Sequence, residues 1–144
     1  MESFMLTWSD QYLIGHERID FEHKIFFGLI QDFQNAHLLN RDNKQLINIL
    51  NEIALYAKFH FRSEENIMEN MRYPGLMEHK IQHYNLVEVL SNKMMGFEMG
   101  VYTPEQVIEF LVEWFFNHSQ THDKNIVEYQ HKMEEALSDP TFHL

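Results

Sequence analysis

The chain has 144 residues and a formal net charge of −11, from 22 acidic and 11 basic residues. A surface built for nucleic acid or an anionic membrane carries a basic patch, and none stands out here. The lack of cysteine excludes disulfides, iron–sulfur clusters and thiol catalysis.

This length suits a single domain, residues 1–144, with one sizeable core. Five Gly and three Pro leave few breakers, which favours a few long helices over many short strands. The opening MESFMLTWSDQY shows no basic region followed by an apolar one, so no signal peptide is evident. The longest apolar run, Ile25 to Ile30, is too short to cross a bilayer. The expected setting is the cytoplasm, with no membrane insertion.

An N-terminal arm over 1–19 leads into the first predicted helix, 20–38. There Ile19, His23, Phe26, Ile30 and Phe33 fall on one face. The second helix, 42–72, opens on Asp42 and Gln45, which resemble a capping box. Its stripe runs Leu46, Ile49, Ile53, Ala57, His60, Glu64, Ile67 and Met71. Tyr73-Pro74-Gly75 breaks the chain. The third helix, 75–95, carries Leu76, His79, His83, Leu86 and Leu90 and ends near Met95-Gly96. Thr103-Pro104-Glu105-Gln106 opens the fourth, 104–137, with a second capping box. Its stripe begins Val107, Leu111, Trp114 and His118. Short connections between such helices predict an all-α fold, an up-down-up-down antiparallel four-helix bundle.

Polar residues interrupt every stripe: His23, His60, Glu64, His79, His83 and His118. A spacing of four leaves His60/Glu64 and His79/His83 about 40° apart on one face. After His118 the regular rhythm meets a mostly polar set. Advancing it by one residue gives Asp123, Ile126, Tyr129 or Gln130, Met133 and Leu137, which is mostly apolar. One extra residue marks a π turn, and such turns favour functional sites. The slip is expected to bring Asp123 onto the face of His118. A single core histidine is usually only hydrogen-bonded. Seven unsatisfied buried polar groups would together cost roughly 7–20 kcal/mol at about 1–3 each, comparable to a whole domain's stability of about 5–15. Five imidazoles and two carboxylates converging from four helices make a metal cage instead. They exceed the four ligands of a structural zinc site and suit two metals with bridging carboxylates. Imidazole and carboxylate without thiolate fit iron, then manganese or zinc. A ferritin-like site would use four glutamates and two Glu-x-x-His motifs, whereas the sequence holds one such motif, Glu128 to His131, beyond the ligand layer.

With these residues in place, the sequence resembles the hemerythrin family, in particular its bacterial group. The resemblance rests on Trp8, Ile14-Gly15, Ile19-Asp20, Glu22-His23-Lys24, His60-x-x-x-Glu64, Tyr73-Pro74, His79-x-x-x-His83, and Trp114-x-x-x-His118 followed by Asp123. It covers nearly the whole chain. It implies two iron ions, cycling between Fe2+ and Fe3+, joined by an oxo or hydroxo group. His79, His83 and His118 would hold one iron and His23 and His60 the other, with Glu64 and Asp123 bridging. O2 would bind reversibly at the two-histidine iron, which keeps an open position, without net turnover. Phe26, Phe61, Trp114 and Phe115 lie within a turn of a ligand and are expected to wall the O2 pocket. Ser119 stands where family members often carry an apolar residue, and its hydroxyl is expected to admit water and shorten the life of the oxygenated form.

Other histidines are expected to be bystanders. The register slip points His122 away from the core, His16 falls in a surface loop, and His37, His131 and His143 are exposed. The resemblance leaves three uses for O2. They are carriage or storage for an oxygen-using enzyme, input to a signalling output domain in a chemotaxis receptor or cyclic-dinucleotide enzyme, and peroxidase or oxidase chemistry.

Overall fold

The computed structural model describes residues 5–138; His143 and the tail over 139–144 lie outside them. The helices are α1 (Glu17–Leu38), α2 (Asn43–Asn70), α3 (Leu76–Glu98), α4 (Pro104–His118) and α5 (Lys124–Ser138). A π turn over Ser119–Asp123 joins the last two into one continuous rod. The described residues contain no strand. α1 packs on α2 and α4, and α3 packs on α2 and α4, closing the four-helix bundle. No helix is long and apolar enough to cross a membrane.

Local chemistry sets the helix ends. Asp42 accepts from the Gln45 amide at 2.9 Å. Thr103 and Gln106 form a reciprocal capping box, with Pro104 in the first turn, where its missing N–H costs nothing. α1 starts three residues earlier than its periodicity indicates, because His16 is its N-cap: Nδ1 accepts from the Ile19 amide at 3.2 Å. α3 runs through Gly96 to Glu98, and the αL residue that stops it is Gly100, with φ 79°. The Val101 amide then reaches back to the Gly96 carbonyl at 2.8 Å. Gly96 is needed for packing, since a Cβ there would lie 2.3 Å from the Tyr102 ring.

The arm is tied to α1 by Asp20, whose carboxylate accepts from the Ile14 and Gly15 amides at 2.8 and 3.1 Å. Trp8 seats edge-on against Phe27, with ring centroids 5.7 Å apart.

The core is divided. Phe26, Phe27, Ile30, Phe33, Leu50, Ile53, Leu111, Trp114 and their neighbours fill most of the bundle. A small cluster of Ile14, Ile19 and Val127 forms separately around the arm and α5. The buried histidines and carboxylates belong to neither cluster. The expected stripe fails toward the end of α5, where Met133 and Leu137 are 42% and 61% exposed. Tyr129 already packs against Tyr73 in the α2–α3 connection and donates to the Arg72 carbonyl at 3.3 Å. Past that level the apolar residues Met133 and Leu137 stay in solvent, while Gln130, His131 and Glu134 face the start of α1 across an open cleft.

Candidate metal centre

All seven residues of the expected cage converge, and each is buried. The π turn makes this possible. In a regular α-helix five residues turn about 500°, which would leave His118 and Asp123 about 140° apart. The wider turn returns Asp123 to the core, where its Oδ1 lies 3.1 Å from His118 Nε2. His122 packs against His118, ring centroids 5.4 Å apart, yet belongs to neither ligand group.

The ligand atoms sort into two sets. Glu64, His79, His83 and His118 offer atoms within 4.8 Å of one another, as do His23, His60, Glu64 and Asp123. Glu64 Oε1 lies 3.1 Å from His83 Nε2 and 3.4 Å from His60 Nε2, facing both sets. Asp123 does the same, with Oδ2 3.1 Å from His23 Nε2 and Oδ1 3.4 Å from His79 Nε2. Metal–nitrogen bonds of about 2.0–2.1 Å place neighbouring donors about 3 Å apart around one ion, in keeping with these separations. Glu64 Oε2, His79 Nε2 and both Asp123 oxygens are buried without a hydrogen-bond partner. The Asp123 oxygens approach imidazole nitrogens closely but lack hydrogen-bond geometry. Such groups are costly unless a cation satisfies them, so the donor set fits a pair of metal ions.

The electrostatics of the protein alone point the same way. Burial drives His83 down to about 2, and the neighbouring His118 and His79 rings push it in the same direction. Burial also opposes charge on His118, but Asp123 and Glu64 outweigh it and raise this histidine to about 10. Burial and the adjacent Asp123 carboxylate raise Glu64 well above the usual carboxylate range. Asp123 is held well below that range against its burial, chiefly by His118. Protons thus take the role of missing positive charge.

Two carboxylates that periodicity did not select support the ligands. Glu22, buried beside His23 in sequence, accepts from His60 Nδ1 and from Ser63 Oγ, both at 2.7 Å, and from Arg18 Nε at 3.0 Å. These three bonds outweigh burial and lower its pKa. Glu65 accepts from His83 Nδ1 at 2.8 Å. A carboxylate on Nδ1 fixes the tautomer, so that Nε2 presents a lone pair to the centre. For Glu65 the sequence offers only an acidic residue next to an expected ligand, which surface glutamates share, whereas Glu22 belongs to the Glu22-His23-Lys24 run that carries the family resemblance. Glu22→Gln keeps the side chain's size and removes its charge. It is expected to weaken metal binding about 10–100-fold, read by competition with a chelator; an unchanged affinity would leave Glu22 no part in ligation.

Beside His23 and His60 lies a small cavity of about 10 Å³. Phe26, Ala57, Phe61, Trp114 and Phe115 line it together with ligand residues. Four of the five expected pocket residues are therefore there. Ser119 is not. It is 1% exposed and its Oγ sits 3.4 Å from His23 Nδ1. The π turn places it on the outer nitrogen of that ring. Of the remaining histidines, His131 is exposed, whereas His37 is half-buried and pairs with Glu105 at 2.7 Å.

Comparison with known proteins agrees with this geometry. Residues 14–129 match the hemerythrin HHE cation binding domain, and the chain belongs to the hemerythrin family, whose members are non-heme di-iron proteins that bind O2. It is 27% identical to a bacteriohemerythrin of Clostridium acetobutylicum, over 86% of this chain and 100% of that protein. It is 28% identical to a myohemerythrin of Theromyzon tessulatum, over 77% of this chain and 82% of the other. A crystal structure of a hemerythrin point mutant superposes with a TM-score of 0.73 at 23% identity, covering 87% of this chain and 96% of that one, a likeness of fold.

Proposed function

We propose that this chain binds O2 reversibly at the iron held by His23 and His60 and serves to carry or store it in the cytoplasm for an oxygen-using enzyme. In this reading His79, His83 and His118 hold the second iron. Glu64 and Asp123, which face both sets of donors, would bridge the two, together with an oxo or hydroxo group. The observation that carries the reading is the small cavity against the histidine pair, walled elsewhere by apolar side chains. A volume of about 10 Å³ is at the lower bound for one water molecule, so the wall leaves no room for any but the smallest ligands.

A bound iron pair would supply the reversible two-electron chemistry that O2 binding needs. The chain does the rest. His60 is anchored by Glu22, while Phe26, Phe61, Trp114 and Phe115 exclude water that would release reduced oxygen and leave the irons oxidised. Trp114 is locked in place by donating its indole N–H to the Leu86 carbonyl at 3.1 Å. No group in the cavity wall other than the ligands can donate a proton, which favours binding over turnover.

An anaerobic optical titration tests this. The reduced protein should be nearly colourless, gain visible charge-transfer bands when O2 is admitted and lose them on degassing. Immediate, permanent oxidation, or steady peroxide consumption with a reductant, would overturn the carriage reading.

A further inference from the structure

We propose that Ser119 is a positioning residue for the oxygen-side histidine, its hydroxyl holding the His23 ring at Nδ1 and giving that ring a neutral partner where His60 and His83 have anionic ones. The proposal rests on the two-histidine iron as the O2 site.

Three ligand rings show a hydrogen-bond partner on Nδ1. His60 donates to Glu22 at 2.7 Å and His83 to Glu65 at 2.8 Å, both short bonds to carboxylates. His23 has only the Ser119 hydroxyl, at 3.4 Å. With Nε2 directed at the metal, Nδ1 carries the proton and Ser119 Oγ accepts it. A charged acceptor draws that proton more strongly and makes the imidazole a more basic ligand, which favours ferric iron. A neutral acceptor fixes the ring without that push. On the side where O2 binds, that push then comes from His60 alone.

The contact depends on the π turn. Ser119 is the first residue of that turn, follows a ligand directly and spans 96 positions of sequence to reach α1. Both partners are 1% exposed, so water does not substitute for the hydroxyl. An apolar side chain here would fill the space and leave Nδ1–H without an acceptor.

The test uses protein loaded with zinc or cobalt, so that it does not depend on oxygen chemistry. Nitrogen-15 NMR of the histidines should show the His23 Nδ1–H protected from exchange in the wild type. Ser119→Ala should speed that exchange at least tenfold and weaken metal binding about tenfold, and Ser119→Thr, which keeps the hydroxyl, should restore both. Unchanged exchange and affinity in Ser119→Ala would reduce Ser119 to packing and overturn the proposal. Should neither variant fold, the wild-type exchange rate decides, since an unprotected Nδ1–H refutes the bond. A protected Nδ1–H in a protein that fails the optical titration would sink the carriage reading and leave the positioning role standing.

Discussion

Stripping the metal should lower the melting temperature by roughly 20–30 °C. At free ion about a thousandfold above Kd, each bound ion contributes about 4 kcal/mol, and a domain of this size shifts by roughly 3 °C per kcal/mol. Without metal the same residues leave two carboxylates and five imidazoles buried against one another. Calorimetry of the loaded and chelator-treated protein at pH 7 measures the difference. Equal melting temperatures would mean that the centre does not bind metal in the folded chain.

The pH dependence of the metal-free protein follows in sign. His83, held at about 2, and His60, also lowered by burial, stay neutral in the fold, whereas the unfolded chain protonates near 6.5. Acidification from pH 7 therefore favours the unfolded state. His118 acts oppositely. With a folded value of about 10, its contribution is fully present below 6.5 and is lost as pH rises through 10. Metal must also displace the His118 proton, so affinity should climb about tenfold per pH unit for each proton released.

Filling the cavity should abolish O2 binding while sparing the metal. Ala57 is 1% exposed on α2 and contributes only a methyl group to the wall. Ala57→Leu would occupy the space of about 10 Å³ beside His23 and His60. Overpacking of this kind costs about 1–3 kcal/mol, which a metal-stabilised bundle tolerates. Iron content should be unchanged and O2 affinity should fall about a hundredfold or more, since a clash of about 3 kcal/mol with the gas corresponds to that factor. Metal analysis and the optical titration on one sample separate the two effects. Wild-type O2 affinity in this variant would place the binding position elsewhere.

Much of this molecule is legible in its sequence because helical rotation is a local property. About 100° per residue decides which face a side chain occupies before any helix meets another. The face alone selected His23, His60, Glu64, His79, His83 and His118 as polar intruders in apolar stripes. The register slip after His118 disclosed the π turn in the same way, since Ile126 had to be returned to the core. Capping chemistry is equally local, so the Thr103 start of α4 was readable, while the His16 cap was not, because histidine serves there in place of the usual oxygen acceptor.

What lies across the bundle is a different kind of information. Glu22 reaching His60, Glu65 reaching His83 and Ser119 reaching His23 each join separate helices. These contacts depend on axial offset and crossing angle, which periodicity does not carry. The same holds for the small cavity, a volume left by five side chains from three helices, and for the exposure of Met133 and Leu137. By itself the sequence determined the bundle and its seven buried polar residues, through rotation about single helix axes, and its family, through the motifs they belong to. Only the tertiary structure decided which acceptor each ligand ring meets and how much room remains beside the iron, because packing between helices sets both.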